Sequence, residues 1–247
     1  MQTLGRGLIA TGSIGARLAR LDWEAIERSL DESGWSRTPP VLTPGECDEL
    51  AALYDDDRRF RSRVDMARYR FGLGEYKYFA EPLPAIVRDL RVEAYLRLAP
   101  IANRWEGSLG GRARPFPPDL QSFAAVCAGR GQKKPTPLLL RYEEGGYNCL
   151  HQDLYGEIAF PLQLTCVLSR RGADFSGGES LLVEQRPRQQ SRGDAVPMEQ
   201  GELLVFATRY RPVHGARGYY RANLRHGVSR VLSGRRVSIG VIFHNAE

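Results

Sequence analysis

The sequence has very little lysine, few cysteines and no long apolar run. Only three of its 35 basic residues are lysines, so arginine carries most of the formal net charge of +6. Arginine binds carboxylates and phosphates through a planar fork of donors, and a basic surface attracts nucleic acids or anionic substrates. An arginine-rich composition is also typical of a GC-rich genome. The charge by itself therefore selects no function.

The cysteines exclude a zinc site of the C-x-x-C type and a disulfide framework, because their positions are scattered. They are Cys47, Cys127, Cys149 and Cys166. We expect a reduced cytoplasmic protein in which Cys149 and Cys166 are small buried residues. The glycine-interrupted stretch over residues 1–20 is a poor match to a secretory signal. No apolar run reaches the ~18 residues of a membrane helix, so no membrane association is predicted.

The first part of the chain, residues 1–134, has the pattern of a mainly helical support region. Gly34 can end a helix whose apolar residues repeat around positions 21–30. Thr43 is a candidate N-cap, with Pro44 at the first helical position and Glu46 completing a capping box. Two further helices are predicted at residues 84–104 and 117–128.

From residue 135 to residue 247 the pattern changes to short apolar, β-branched runs separated by glycine. The runs are PLLLRY, IAFPLQLTCVL, ESLLVE, ELLVFATR, GVSRVL and RVSIGVIF. Such spacing is typical of an antiparallel sandwich or barrel, and the polar stretch at 184–194 is predicted to be a loop. Helices followed by strands indicate an α+β fold, with the helices packed on one face of the sheets in one cooperative domain.

Few histidines are present, and two of them have a context that indicates a metal site. His151 and Asp153 are two residues apart, so an extended backbone points both side chains the same way. A second histidine from another strand would complete the 2-His-1-carboxylate triad of non-haem Fe(II) oxygenases. An isolated H-x-D pattern is also typical of a surface histidine beside an aspartate in a turn. We prefer His226 to His214 as the third ligand, because a strand pattern and a turn follow His226.

The last strand pattern adds a candidate carboxylate receptor. Arg236 and Ser238 would share one face of that strand, and a guanidinium with a neighbouring hydroxyl can bind a carboxylate in bidentate fashion. With these residues in place, the sequence resembles the 2-oxoglutarate/Fe(II)-dependent oxygenases. The resemblance covers residues 138–244 and depends on His151-Gln152-Asp153, His226, Arg236-x-Ser238 and the FSGGE stretch at 175–179.

The resemblance implies a double-stranded β-helix, or jelly-roll, core. It implies that His151, Asp153 and His226 bind Fe(II), while Arg236 and Ser238 hold the distal carboxylate of the co-substrate 2-oxoglutarate. It also implies that O2 is consumed, that 2-oxoglutarate is decarboxylated and that a substrate C–H bond is hydroxylated.

A narrower resemblance lies in RYEEGGYNCLHQD at 141–153, which is similar to the matching stretch of AlkB-type nucleic-acid demethylases. It implies that Tyr142 helps to bind 2-oxoglutarate. Two departures stand out: Leu140 replaces an asparagine that contacts the co-substrate, and the R-x-S of the last strand is closer to the prolyl-hydroxylase type. The whole chain is similar to an uncharacterised bacterial oxygenase family that is labelled as acting on damaged DNA.

Two segments interleave arginine with aromatic residues, as nucleic-acid-binding surfaces do. One covers residues 68–79 and the other residues 209–225, immediately before His226. The first could equally be a helix-packing segment, and the second a solvated loop. The candidate substrate-binding residues are Tyr155, Arg209, Arg211, His214, Arg217, Tyr219 and Arg221.

The sequence therefore predicts a dioxygenase that hydroxylates or oxidatively demethylates its substrate. Our preferred substrate is an alkylated base in DNA or RNA, and the reaction would be a form of DNA repair. The alternatives are a hydroxylase of a small molecule or protein side chain, and a non-catalytic basic protein that binds nucleic acid. The sequence leaves the oligomeric state open.

Overall fold

A computed structural model describes residues 11–111 and 115–247. The first ten residues of the stretch compared with a secretory signal lie outside these ranges. The helices are α1 (Ile14–Ala19), α2 (Trp23–Ser33), α3 (Pro44–Ala52), α4 (Met66–Tyr69), α5 (Ala85–Ser108) and α6 (Leu120–Ala128), with 3-10 turns at Leu53–Asp55 and Asp57–Arg59.

The strands lie mostly in the second half of the chain. They are β1 (Trp35–Pro40), β2 (Phe60–Asp65), β3 (Gly72–Leu73), β4 (Glu75–Phe79), β5 (Leu138–Tyr142), β6 (Tyr147–His151), β7 (Leu162–Val167), β8 (Phe175–Gly177), β9 (Ser180–Gln185), β10 (Arg192–Val196), β11 (Glu202–Ala207), β12 (Tyr210–Gly215), β13 (Gly218–Val228), β14 (Val231–Gly234) and β15 (Arg236–Val241).

Two antiparallel sheets form the β-core. The larger sheet has the strand order β1-β11-β7-β15-β5-β4-β2, and the smaller has β10-β9-β13-β6-β3 with β12 paired to β13. A short ribbon of β8 and β14 lies beside them. One cavity is lined by residues of both sheets. The predicted jelly-roll with packed helices is confirmed.

Alternation along β15 shows how the larger sheet separates the hydrophobic core from the site. Val237, Ile239 and Val241 belong to the large cluster that includes the helices. Arg236 and Ser238 line the cavity on the other face, because successive strand residues point to opposite sides. The helices thus stabilise one face of this sheet, and the other face is left for function.

The helix-boundary signals in the sequence are confirmed where the caps can be checked. Gly34 ends α2 in the left-handed conformation with φ of 80°, which glycine adopts without steric cost. Thr43 and Glu46 form both hydrogen bonds of a capping box at the start of α3, with Pro44 in the first turn. The helices predicted at 84–104 and 117–128 correspond to α5 and α6.

Within the described part of residues 1–134, more residues lie in helices than in strands. This region also supplies four strands, which extend both edges of the larger sheet and one edge of the smaller sheet. β1 ends in Pro39 and Pro40 at a sheet edge, where proline is tolerated because its nitrogen need not donate. The stretch at 184–194 is likewise more than a loop, because residues 192–196 pair with β9.

The C-terminal residues are anchored by α5. Arg91 is buried and donates to the backbone carbonyls of Ile242 and Phe243 and to the side chain of Asn245. Burial lowers the pKa of Arg91 to about 10. Within the described ranges, no helix is both long and apolar enough to cross a membrane.

Candidate active site

Three metal-ligating side chains converge where β6 ends. His151 is the last residue of β6, Asp153 follows two positions later, and β13 pairs with β6 so that His226 lies opposite His151. One ligand atom from each residue lies within 4.8 Å of the others. The Nε2 atom of His226 is 3.1 Å from a carboxylate oxygen of Asp153. The structure thus brings the three predicted metal ligands to one point.

The protonation states at this point suit a divalent cation. Burial opposes ionisation of Asp153, but the hydrogen bond from His226 and the two imidazoles hold the pKa of its carboxyl well below the usual range. Burial and His151 lower the pKa of His226, and Asp153 offsets this only in part. Metal ligands bind as neutral imidazole and ionised carboxylate. The residues present therefore fit a metal of the Fe(II) type.

Two backbone-directed contacts orient the ligands. Nδ1 of His151 lies 2.8 Å from the carbonyl oxygen of Cys149, so a proton on Nδ1 would leave Nε2 as the metal-binding atom. Gln152, the middle residue of the motif, donates from its amide to Asn223 Oδ1 at 2.6 Å and to the carbonyl of Leu224 at 2.7 Å. Gln152 thereby fastens the end of β6 to the strand that carries His226.

A pair of tyrosine hydroxyls supports the carboxylate. Tyr155 donates to Oδ1 of Asp153 at 2.6 Å, and Tyr78 donates to the hydroxyl of Tyr155 at 3.0 Å. Their rings pack edge to face, with centroids 6.1 Å apart. The other carboxylate oxygen, Oδ2, is the one nearest His226. Tyr155 does line the cavity, but its hydroxyl is engaged by the predicted metal ligand.

Arg236 forms a second polar centre in the same cavity. The residue is 1% exposed, and its guanidinium donates to Ser238 Oγ at 2.9 Å. Among the described residues it has no carboxylate partner, and its Nε atom has no hydrogen bond. Buried charges are normally paired. An unpaired guanidinium that faces a cavity is therefore a receptor for an anionic ligand.

Tyr142 completes this centre. It is fully buried, and the guanidinium carbon of Arg236 lies 5.7 Å from its ring centroid. Its hydroxyl accepts a hydrogen bond from Asn148 at 3.3 Å. Burial raises the pKa of Tyr142 to about 12, so the hydroxyl stays protonated and can donate to a ligand.

Gly178 gives the FSGGE stretch a role that the sequence did not reveal. Its φ of +62° is in the left-handed region that favours glycine. A Cβ atom at this position would lie 2.8 Å from Cδ of Arg236 and 3.2 Å from a methyl group of Val231. The absence of a side chain at 178 is therefore what leaves room for the arginine.

The cavity that contains both centres has a volume of about 380 Å³. Its wall is rich in aromatic rings, with Phe71, Tyr76, Tyr78 and Phe206 among the lining residues. Gln163 also lines it and is 2% exposed, and its amide nitrogen has no hydrogen-bond partner among the described residues. A buried, unpaired amide is an available hydrogen-bonding group for a ligand.

The residues predicted to bind substrate on the β12–β13 hairpin are not part of this cavity's lining. Arg209 and Arg221 line a separate cavity of about 230 Å³. His214 and Tyr219 contact each other edge to face, with centroids 5.0 Å apart. Arg217 lies exposed at the hairpin turn.

The prediction for Arg211 is wrong. Its side chain is 2% exposed, forms an ion pair with buried Glu184, and donates to the carbonyl of Asp31 at 2.6 Å. The guanidinium thus joins β9, β12 and the end of α2 in the interior and cannot reach a substrate. Cys149 also departs from expectation, because it is exposed at the cavity, whereas Cys166 is buried as predicted.

Several lining residues were missed as individual positions. Gln163 and Phe206 lie on strands whose apolar pattern was recognised, but nothing in their spacing separates a cavity face from a core face. Asn148 lies on β6, which none of the apolar runs covers. Tyr78 did belong to a segment singled out for its composition. Its hydrogen bond to Tyr155 joins two segments that are far apart in the sequence, and no local pattern predicts that contact.

With this geometry established, residues 74–246 match the model of the oxygenase family Oxygenase-NA, which is described as catalysing oxidative methylation of damaged DNA. The chain belongs to this family. Two uncharacterised Mycobacterium tuberculosis proteins are similar to it: MT2286 of strain CDC 1551 and Rv2227 of strain H37Rv. Each is 47% identical over 168 residues, which cover 68% of this chain and 72% of the relative.

Solved structures agree on the fold of this Oxygenase-NA member. A prolyl-4-hydroxylase from Pseudomonas putida superposes with a TM-score of 0.53 at 16% identity, covering 91% of this chain and 99% of that structure. A 2OG-Fe(II) family oxidoreductase from Burkholderia pseudomallei gives 0.52 at 16% identity, covering 91% and 92%. The epimerase SnoN of nogalamycin biosynthesis gives 0.53 at 16% identity, covering 88% and 80%.

Family membership identifies the chain as an oxygenase. Its fold is that of the solved 2OG-Fe(II) family enzymes, and its His-Asp-His cluster fits Fe(II). The oxygenase class and the family predicted from the sequence are confirmed.

Proposed function

We propose that this enzyme oxidises a damaged, alkylated base in DNA. The observation that carries the proposal is that one cavity contains the His151, Asp153 and His226 cluster together with the unpaired guanidinium of Arg236. The first would hold Fe(II). The second, with Ser238 and Tyr142, would hold the distal carboxylate of 2-oxoglutarate. The family description supports damaged DNA as the substrate class.

When bound, Fe(II), 2-oxoglutarate and O2 supply an oxidant that inserts one oxygen atom into a substrate C–H bond, leaving succinate and CO2. On an N-methyl group, the hydroxylated carbon leaves as formaldehyde and the nitrogen regains a proton.

The protein's own residues supply binding and orientation. Arg236 and Ser238 would bind one end of the co-substrate. Tyr155 donates to one oxygen of Asp153 and Tyr78 donates to Tyr155, so the other carboxylate oxygen would be available to the metal. The aromatic wall suits a flat base, and the Gln163 amide would read a polar atom on its edge. An enzyme that works on a base must take it out of the helical stack into such a pocket.

A direct test is anaerobic addition of Fe(II) and 2-oxoglutarate, which should give the weak visible charge-transfer band of the chelate. We expect His151→Ala combined with Asp153→Ala to abolish the band. A band that persists in this variant would contradict the metal assignment.

The substrate requires a separate panel of methylated DNA and RNA oligonucleotides, free amino acids and peptides. Turnover would be scored by succinate and formaldehyde. We expect formaldehyde from at least one methylated oligonucleotide. Turnover confined to amino acids or peptides would favour the alternative hydroxylase, for which the R-x-S pattern of β15 is the specific observation.

A further inference from the structure

Two exposed aromatic rings stack on each other at the opening of the cavity. Tyr69 is 52% exposed and Phe71 is 46% exposed. Their centroids are 5.6 Å apart, and the planes differ by 22°. Phe71 also lines the cavity. Large aromatic side chains usually bury most of their surface, so this pair leaves ring surface available at the entrance.

The backbone beneath the rings is held in place from several sides. Asp65 caps α4 by accepting from the amide of Ala67, and Met66 is fully buried. The amide of Cys149 donates to the carbonyl of Phe71 at 2.8 Å. A Cβ at Gly72 would lie 2.2 Å from the carbonyl oxygen of Tyr147, so only glycine permits this close pairing of β3 with β6. The rings are therefore presented in a defined position.

Arginines flank the rings and have no acidic partners. The guanidinium carbon of Arg68 is 5.8 Å from the Tyr69 ring centroid. Arg70 lines the cavity and has a φ of 60°, a conformation that non-glycine residues rarely adopt. Neither side chain forms an ion pair with any residue that the structure describes. Nearby Arg63 and Arg141, by contrast, both pair with Glu75.

Exposed stacked rings beside unpaired guanidinium groups match the chemistry of single-stranded nucleic acid, which has a base and a phosphate at each step. We propose that Tyr69 and Phe71 stack an unpaired base adjacent to the one that enters the cavity, and that Arg68 and Arg70 contact the flanking phosphates. The substrate is then single-stranded DNA. This inference rests on the proposed function and adds the strandedness of its substrate.

Fluorescence anisotropy with a fluorescein-labelled, unmodified dT 12-mer tests the inference without turnover. The full-length protein is used with Fe(II) and 2-oxoglutarate under anaerobic conditions. Tyr69→Ala combined with Phe71→Ala should weaken binding by about 10- to 100-fold, as expected when base stacking is removed. Tyr69→Phe keeps the ring and should bind like the wild type. The chelate band in each variant checks that the fold and the metal site are intact.

Tyr219→Ala is the matched comparison, because Tyr219 is also 52% exposed but lies on the β12–β13 hairpin. We expect it to retain wild-type affinity. If Tyr219→Ala weakened binding and the Tyr69/Phe71 variant kept wild-type affinity, the proposal would be overturned in favour of the hairpin. A duplex 12-mer should bind more weakly than the single strand, and the Tyr69/Phe71 variant should lose most of that preference. An equal reduction in affinity for both would overturn stacking.

The arginine part is tested by the salt dependence of Kd. Arg68→Gln combined with Arg70→Gln should reduce the slope of log K against log salt by about 0.7 for each phosphate that the protein no longer neutralises. An unchanged slope would contradict the proposed binding of phosphates by these arginines.

Other outcomes separate this inference from the proposed function. A protein that demethylates oligonucleotides but keeps its dT 12-mer affinity without the two rings would contradict only the stacking proposal. A protein that does not bind the 12-mer and turns over only amino acids or peptides would contradict both.

Discussion

The two segments that interleave arginine with aromatic residues look alike in sequence and differ in the structure. Residues 68–79 deliver Arg70, Phe71, Tyr76 and Tyr78 to the cavity. Residues 209–225 deliver none to its lining and place Arg211 in a buried ion pair. The two segments differ in their position in the sheets. In β4, alternate side chains point into the cavity. β12 and the first part of β13, by contrast, form a hairpin at the edge of the smaller sheet. Composition therefore identifies candidate surfaces without ranking them.

Removing the buried arginine of the hairpin should have the largest effect on stability. Arg211→Leu leaves Glu184 buried without its main partner, and breaking such a pair costs about 3 kcal/mol. We expect a lower urea midpoint with co-substrate affinity unchanged. Arg221→Leu, on the exposed face of the same hairpin, should stay within about 0.5 kcal/mol of the wild type. Equal effects would mean that the hairpin is held by something other than this ion pair.

Arg236 is also buried but lacks an acidic partner. Its removal should therefore lower the affinity for the co-substrate, which removal of Arg211 should leave unchanged. Arg236→Ala is expected to weaken 2-oxoglutarate binding by about 1.5–3 kcal/mol, the range for a hydrogen bond to a charged group. Calorimetric titration with 2-oxoglutarate measures this. Arg211→Leu serves as the control for removal of a buried guanidinium, and unchanged affinity in Arg236→Ala would remove the residue from the co-substrate site.

Tyr155 and Tyr78, of which only Tyr78 belongs to the first segment, should affect metal binding, whereas the tyrosines of the hairpin should not. Tyr155→Phe removes the hydrogen bond to Asp153, and removing such a supporting hydrogen bond typically costs 10- to 100-fold in metal affinity. Tyr78→Phe, one hydrogen bond further from the metal ligand, should cost less. Anaerobic Fe(II) titration followed by the chelate band measures both. Tyr219→Phe on the hairpin is the control, and a Tyr155→Phe protein with wild-type iron affinity would contradict the supporting role.

The smallest expected effect is on acid stability. Burial raises the pKa of Glu184, but hydrogen bonds and charges from Arg211 and Arg186 outweigh it and lower the pKa below the ordinary 4.5. A lowered folded-state pKa contributes stability above the unfolded pKa and loses it as the pH falls through the folded value. The unfolding free energy of the wild type should therefore decline below about pH 4.5. Urea titrations should show a shallower decline in Arg211→Leu.

The sequence predicts the parts of this molecule that depend on local chemistry or on motif order. Thr43, Pro44 and Glu46 specify a helix start within four residues, and the spacing of His151, Asp153 and His226 specifies the triad. Strands β5, β7, β9, β11 and β15 were recognisable because buried β-branched runs are local. These features need no knowledge of what lies across the fold.

The features that escaped prediction all depend on a distant neighbour. β4 was missed because its segment was interpreted by composition as a binding or packing segment, whereas the strand lies between β2 and β5 and pairs with both. The burial of Arg211 depends on Glu184 from another strand. Likewise, the need for glycine at position 178 depends on Arg236, which occupies the space beside it.

Cys149 has a practical consequence. All four cysteines lie within the described residues, and three of them are buried. A thiol-reactive dye applied to the native protein should therefore label one position, at the entrance of the cavity and next to the Phe71 carbonyl. A dye on Cys149 would report ligand binding at the cavity entrance, and no cysteine needs to be introduced for this purpose.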